Sequence, residues 1–481
     1  MLYRLSLVSA LIWGLTTQAQ NHIDALRYSQ ESLWGSARYV AMGGAFGSLG
    51  ANGNTSSSNP AGIATFTNGQ FSGSLNLNEL SSDGFSSKST FNSGNSFAKK
   101  SSASIPNLNY ISANILEPGM AGDWDRINFG IGYNKLADYN KSIYLEGTGS
   151  ANSLSNFILE SAQGSTYEEL NTLGQLAFAT YLIDTIGGNT NYNSSVGGIL
   201  NRTQSYKSST SGGKNEFYLS FGSAYQNKLF LGATIGLPSL NYNEETTISE
   251  GDFDSNGDLR SFDYTTNLYV EGSGINLKLG LIYKIDDAIR YGFALHTPTY
   301  YEIHEEYSSS MNTSFLNDTV YSADSYLGLF DYGLNSPFKI INSISFVIKK
   351  KAIISLEHEY LDYSTASLTS EFYSFSSENK DINNHFASAS NIKIGTELRV
   401  HPQLSLRAGY AYYGNPLTDP TKDASKEYLT FGLGVKVNQY FFDLAVVNAY
   451  SQDYLEIYPN SELATLSHQH SQLLISGGFK F

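Results

Sequence analysis

The feature that most constrains this chain is a strict two-residue alternation in which one face is aliphatic or aromatic and the other is polar or charged. Over Ile127-Asn128-Phe129-Gly130-Ile131-Gly132-Tyr133-Asn134 one face is Ile, Phe, Ile, Tyr and the other Asn, Gly, Gly, Asn. From Ile275 to Tyr283, Leu277, Leu279 and Leu281 alternate with Asn276, Lys278 and Gly280. Between Asn391 and Val400, Ile392, Ile394, Leu398 and Val400 alternate with Lys393, Gly395, Glu397 and Arg399. Period two puts successive side chains on opposite faces of a strand. Soluble sheets alternate too. Charge on one face against aliphatics on the other, strand after strand, suits a sheet with lipid outside and a wet lumen inside.

We read 14 such segments, near residues 69–80, 104–116, 126–146, 215–226, 229–243, 262–284, 290–307, 337–349, 352–369, 390–400, 404–414, 426–438, 440–451 and 468–481. The connectors alternate long and short. Short ones are Glu117 to Asp125, Gln226-Asn227-Lys228, Ile285 to Ile289, Lys349-Lys350-Lys351, His401-Pro402-Gln403 and Asn438-Gln439. Long ones lie near 81–103, 147–214, 244–261, 308–336, 370–389, 415–425 and 452–467. Outer-membrane barrels have short periplasmic turns and long extracellular loops, so an even strand count puts both termini in the periplasm. The expected fold is all-β, a 14-stranded antiparallel transmembrane β-barrel over 69–481, with 147–214 as a long extracellular loop carrying short helices.

The front of the chain agrees. Arg4 precedes an apolar run from Leu5 to Leu15, followed by Thr17-Gln18-Ala19. This predicts a secretory signal over 1–19, cut after Ala19. The run is shorter than the ~20 residues of a helical span. There is no cysteine, hence no disulfide staple and no lipoprotein anchor. A net charge of −15 argues against nucleic acid as a partner. Tyr (35) exceeds Phe (27) and Gly is abundant (44) while only 15% of residues are charged, a balance that suits aromatic girdles at two interfaces. A secreted β-sandwich or propeller shares that composition.

Two regions do not read as strands. Residues 20–68 are rich in Gly, Ala, Ser and Asn. The 147–214 loop has helical spacing over Ser153 to Gln163 and Tyr167 to Asp184. There Leu170, Leu173, Leu176 and Ala177 share a stripe, with Tyr181 one turn on, which either packs on the barrel rim or offers a landing platform for a hydrophobic ligand.

Within 20–68 stand Gly35-Ser36-Ala37-Arg38-Tyr39-Val40-Ala41-Met42-Gly43-Gly44-Ala45-Phe46 and Ser58-Asn59-Pro60-Ala61-Gly62. Together with the signal, the strands and the terminal Phe481, they resemble the FadL/TodX family of outer-membrane transporters for long-chain fatty acids and aromatic hydrocarbons, most closely its Bacteroidetes branch. The resemblance implies that 20–68 is a hatch plugging the lumen, and that assembly machinery reads the last strand, Leu473, Ile475, Gly477, Phe479, Phe481. Local chemistry is compatible: Gly43-Gly44 allows close backbone approach, and Asn59-Pro60 favours a turn. Family pockets have no fixed string to map here. The family's lateral exit uses a kink in an early strand, for which Gly130 and Gly132 are candidates beside the plainer reading of lumen-face glycines.

Other constellations are weaker. Asp252, Asp254, Asn256 and Asp258, with Gly257 at the turn, resemble the start of a calcium loop, but Asp263 stands where a bidentate Glu is expected, so a solvated acidic turn is the plainer reading. His296, His304, His358 and His401 fit no catalytic spacing, and no enzyme and no cofactor are expected. Lumen charges Lys278, Lys393, Glu397, Arg399, Arg407, Lys436 and Asp443 read as cross-strand bracing, with binding of a carboxylate head group as the alternative. Lys349-Lys350-Lys351 reads as a solvated turn tip. The expected function is passive uptake of a hydrophobic small molecule by a monomer in outer-membrane lipid. A general aqueous porin, and a surface adhesin or structural barrel, are the alternatives.

Overall fold

The computed structural model describes residues 22–86, 96–117, 122–148, 153–196, 202–253, 257–459 and 461–481; the expected signal, 1–19, lies outside them. Fourteen antiparallel strands close on themselves. They are β1 (Gln70–Ser86), β2 (Phe97–Ile115), β3 (Trp124–Asp138, continued by Lys141–Thr148), β4 (Thr203–Tyr225), β5 (Leu229–Gly251), β6 (Leu259–Lys284) and β7 (Ile289–His296, continued by Tyr300–Phe315). Then come β8 (Gly328–Asn335, continued by Lys339–Ile348), β9 (Ala352–Asp362, continued by Ser367–Thr369), β10 (Ser388–His401), β11 (Leu404–Tyr413), β12 (Lys426–Val437), β13 (Tyr440–Leu455) and β14 (Ala464–Lys480). Closure is made by β1 on β14, in register from Gln70↔Lys480 to Ser86↔Ala464.

All 14 expected strands are present, but several run well past their expected ends: β4 begins at Thr203 rather than near 215, and β5 ends at Gly251 rather than near 243. The cause is a switch in polarity along single strands. Low on β5 the outward Leu231, Ile235 and Leu237 are exposed to the lipid side; higher up the inward Leu240, Tyr242 and Ile248 are buried while Ser239 and Asn241 face out. On β6 the outward Ile275, Leu277 and Leu279 give way to outward Ser273 and Glu271 over inward Val270 and Phe262. Below the switch the wall has lipid outside; above it the same sheet encloses an apolar interior and faces water. Alternation loses its phase at the switch, so sequence periodicity alone stops short of the upper parts of β4 and β5, while β6 is legible over almost its whole length.

Two of the short connectors are tight two-residue turns. Gln226-Asn227 and Lys349-Lys350 take positive φ at both central positions (49° and 46°; 49° and 56°), the hand that matches strand twist. At the other end, α3 (Leu154–Ala162) and α4 (Thr172–Ala179) pack on the rim. Ser153 caps α3, and Asn171 caps α4 by accepting from the Gly174 amide at 2.8 Å, which divides the single helix expected over Tyr167 to Asp184. Leu170, Leu176 and Ala177 are buried with Leu154, Ile158, Tyr206, Ile248 and Phe262. The stripe is thus mainly core, and of its members Tyr181 stays exposed.

Phe481 ends at the short-turn mouth, where its amide donates to the Gly69 carbonyl at 3.0 Å. The described chain begins at the opposite mouth. Helix α1 (His22–Ser29) lies against α5 (Ser376–His385) of the long 370–389 connector, with His22 stacked on His385 at 4.8 Å. This corrects the expectation of two termini at one end for the residues described. Strand parity sets where β1 starts and β14 stops, but not the route of a segment that first threads the lumen.

Candidate functional site

Between α1 and Gln70 the chain, with the short helix α2 (Ala37–Ala41) in its path, descends through the barrel, and its backbone rests on glycines of the wall. Gly222, Gly232 and Gly280 are register partners on β4, β5 and β6. A Cβ on Gly232 would lie 2.3 Å from the Pro60 carbonyl, and one on Gly222 2.7 Å from the Ala64 nitrogen. A second row, Gly395 and Gly409 on β10 and β11, receives Met42 and Gly43. Gly43 and Gly44 have φ of 61° and 77°, a region L-residues seldom adopt.

Asn59 anchors this contact. It is fully buried; its Oδ1 accepts from the Ala61 amide at 3.1 Å, capping a 3-10 turn over Pro60–Thr65, and its Nδ2 donates to the carbonyls of Gly47 (2.6 Å) and Leu281 (3.1 Å). Gly62 sits where a Cβ would strike Thr55. Wall side chains tie down the rest. Asn128 Nδ2 donates to the carbonyls of Ile63 and Phe66, both at 2.8 Å, His296 Nε2 contacts the Ser58 carbonyl at 2.7 Å, and Glu357 accepts from the Gly47 amide at 2.7 Å. Sequence reading missed Asn128, Glu357 and the glycine rows. The available signal was glycine recurring in the lumen phase on neighbouring strands.

Around the segment lies a layer of buried ion pairs. Lys278 pairs with Glu216, and Lys393 with Glu357 (3.0 Å) and Glu359 (3.3 Å). Glu397 accepts from Arg407 (2.7 Å) and from Arg38 of the threaded segment (2.9 Å), and Arg407 also reaches Asp443 at 2.6 Å. Lys339 joins Glu31 of the segment at 2.5 Å. Burial alone would raise the Glu31 carboxyl, but Lys339, with Lys214 and Lys278, holds it well below the ordinary carboxylate range. Cross-strand bracing thus describes Lys278, Lys393, Glu397, Arg407 and Asp443. It does not describe Arg399 or Lys436, which make no ion pair among the described residues.

Above this layer the lumen turns apolar and aromatic. Ala25 and Tyr28 of α1 are buried among Leu240, Tyr242, Val270, Tyr301, Ile303 and Tyr332. Tyr28, Tyr139 and Tyr242 meet edge to face at 5.5–6.3 Å, and Arg27, paired with Asp24 at 2.5 Å, lies 4.5 Å over the Tyr242 ring. The helix therefore occupies an aromatic chamber between the ion-pair layer and the rim.

The wall beside the chamber is interrupted. The β2–β3 ladder runs from Ile115↔Arg126 to Asn107↔Asn134 and stops, whereas β2 continues along β1 to Phe97. Beyond that point Asn134, Lys135, Leu136 and Ala137 are buried in succession, so β3 abandons alternation and bends inward. Lys135 bonds Asp138 at 2.5 Å and lies 4.7 Å from the Trp34 ring. Gly130 and Gly132 sit inside the continuous ladder, in keeping with the plainer reading of lumen-face glycines rather than a kink, and Gly132 makes room for Tyr218. A second interruption lies at Thr297-Pro298-Thr299, between the two parts of β7, opposite Ser336-Pro337-Phe338 of β8. Neither proline carries an amide for the ladder.

Of the remaining candidates, Asp254 and Asn256 lie outside the described residues; Asp252 accepts from Thr203 at 2.9 Å, and Asp258 gives its backbone carbonyl to Leu316. His304 bonds Asp331 at 2.7 Å, His358 bonds Ser390 at 3.2 Å and His401 sits beside a short turn, so the histidines do not converge.

Residues 175–438 match the family described as outer membrane protein transport protein (OMPP1/FadL/TodX). Among solved structures the chain is similar to the Pseudomonas putida toluene transporter TodX, with TM-score 0.55 and 16% identity over 94% of this chain and 99% of that one. It is similar too to the Ralstonia pickettii toluene transporter TbuX (TM-score 0.52, 14% identity, 93% and 99% covered). A third is a Pseudomonas aeruginosa FadL homologue (TM-score 0.53, 12% identity, 94% and 100% covered). At these identities the likeness is one of fold. No curated protein matches the sequence.

Proposed function

Because this chain belongs to the outer membrane protein transport family (OMPP1/FadL/TodX), whose members are outer-membrane channels for hydrophobic compounds, we propose that it takes up hydrophobic small molecules passively. The observation that carries the proposal is the polarity switch: strands that face lipid with their apolar side low down turn that side inward higher up, building an aromatic chamber inside a barrel whose lower lumen is ionic. A porin of water-filled bore has no use for such a chamber.

In this reading the long loops face outside and the short turns face the periplasm. A hydrophobic molecule lands among exposed loop residues such as Tyr181, Val320 and Leu316, enters the chamber, and displaces α1. Residues 20–68 act as the hatch, and the break above Asn107↔Asn134 is the lateral way into lipid. Assembly machinery reads the strand ending in Phe481, and the barrel works as a monomer. The similar TodX and TbuX structures are toluene transporters, which supports small hydrocarbons as one cargo class beside fatty acids.

The test is native mass spectrometry with lipid extraction of the purified barrel, paired with single-channel conductance of the full chain and of a variant lacking 21–66. A co-purifying acyl or hydrocarbon ligand, lost on deletion, together with low conductance of the intact chain, is expected. A ligand-free intact barrel of large conductance would make it a porin.

A further inference from the structure

At the short-turn mouth lies a recess of about 290 Å³, bounded by the threaded segment on one side and by β10 to β14 and β1 on the other. Five bases line it, Arg38, Arg399, Arg407, Lys436 and Lys480, against the two carboxylates of Glu397 and Asp443. Arg38 and Arg407 are engaged by those carboxylates at 2.6–2.9 Å. The other three are not. Among the described residues no carboxylate lies within 4.0 Å of the side-chain nitrogens of Arg399, Lys436 or Lys480. In a chain of net charge −15, a surplus of three positive charges in one concavity is a local arrangement, not a reflection of composition.

The three unpaired bases come from three strands, β10, β12 and β14, near the short-turn end of each. Each falls in the lumen phase of its strand, in step with the inward-facing Glu397, Gly434 and Ser476. They are therefore not turn tips like Lys349-Lys350-Lys351. Phe441 and Pro402 supply apolar wall beside them. Convergent cations next to an apolar wall fit a group that is anionic at one end and hydrocarbon at the other: charge-assisted hydrogen bonds hold the anion, and the alkyl part lies on the ring.

We infer that this recess is a head-group site for an amphiphilic anion, taking its carboxylate or phosphate on Arg399, Lys436 and Lys480. The cargo as one source of that anion rests on the transport reading above; a phospholipid of the neighbouring leaflet is the other source and does not.

The experiment is calorimetric titration of the full-length barrel, in uncharged detergent at low salt, with octanoate, octyl phosphate, inorganic phosphate and octanol. Octanoate or octyl phosphate should bind, more weakly as salt rises, and Arg399→Gln with Lys436→Gln and Lys480→Gln should lower that affinity at least about tenfold while octanol is unaffected. Preference for octanoate identifies the cargo as the source, preference for octyl phosphate the lipid. Unchanged anion affinity in the folded triple variant, or inorganic phosphate binding as tightly as octyl phosphate, overturns the inference. If the triple variant does not fold, Lys436→Glu alone, at an exposed side chain, makes the same test. Anion binding without uptake of any hydrophobic compound would sink the transport reading and leave the recess standing. Uptake without anion binding would do the reverse.

Discussion

Replacing Gly232 by alanine should lift the threaded segment off the barrel wall while leaving the barrel folded. The new Cβ would lie 2.3 Å from both the carbonyl carbon and oxygen of Pro60 and 2.5 Å from the Ala61 nitrogen. These are backbone atoms and cannot rotate away. Non-bonded carbons approach to about 3.5 Å, so the Pro60-Ala61 backbone must retreat by about 1 Å. Asn59 moves with it. Its bond to Leu281 is already 3.1 Å and would pass beyond hydrogen-bonding range, while the tie to Gly47 is held by a second part of the same segment. Overpacking costs about 1–3 kcal/mol and the one buried Asn59 N–H left without its acceptor about 1–3 kcal/mol, so docking of residues 58–66 should weaken by about 2–6 kcal/mol. At 1.4 kcal/mol per factor of ten, the undocked population rises at least about thirtyfold. Amide hydrogen exchange over 58–66 reads this directly, with heat-dependent gel mobility confirming the barrel and outward-facing Ala233→Val as control. Unchanged protection of 58–66 in a folded Gly232→Ala barrel would refute the docking argument.

Glu397→Ala should destabilise the barrel by about 1.5–3 kcal/mol, because Arg38 loses its carboxylate and Arg407 keeps only Asp443; the thermal midpoint of the gel-mobility shift measures it, and a wild-type midpoint would contradict the bracing role. Ile158→Ala, in the core under α3, should cost about 2–5 kcal/mol of loop docking, seen as faster proteolysis within 153–182 with the barrel intact. The seat of α1 should depend on pH. Burial, and then the charge of His385, hold the His22 imidazole below its ordinary 6.5, with Asp381 opposing. A base with a lowered docked pKa binds fewer protons docked than free, so docking is fully present above pH 6.5 and weakens as pH falls below it. Exchange of the amides of 23–29, corrected for intrinsic rates, should quicken between about pH 7.5 and about pH 5, and His22→Phe should abolish the dependence.

The lipid-facing half of this protein was written in local sequence. Which of two faces is apolar is decided by residues two apart, so Ile275 to Tyr283 or Asn391 to Val400 declares a strand and its outward side without reference to any other strand. Fourteen such segments and the alternation of short and long connectors then implied a closed, even-stranded barrel, and Asn59-Pro60-Ala61-Gly62 marked a turn before it. What the lumen holds depended on closure. The apolar face of β5 and β6 moves from outside to inside where the wall leaves the lipid, and an alternation rule cannot know where the lipid ends. Gly222, Gly232 and Gly280 read singly as ordinary strand glycines; they become a seat for Pro60, Ala61 and Ala64 only when three strands bring them into register. Lys278 and Arg407 find carboxylates, and Arg399 and Lys436 do not, because pairing across a lumen is set by strand stagger and by the segment threaded through it. The entry of the described chain at the long-loop mouth follows from the same cause: a plug's route is decided by contacts between residues hundreds of positions apart, and no local period records them.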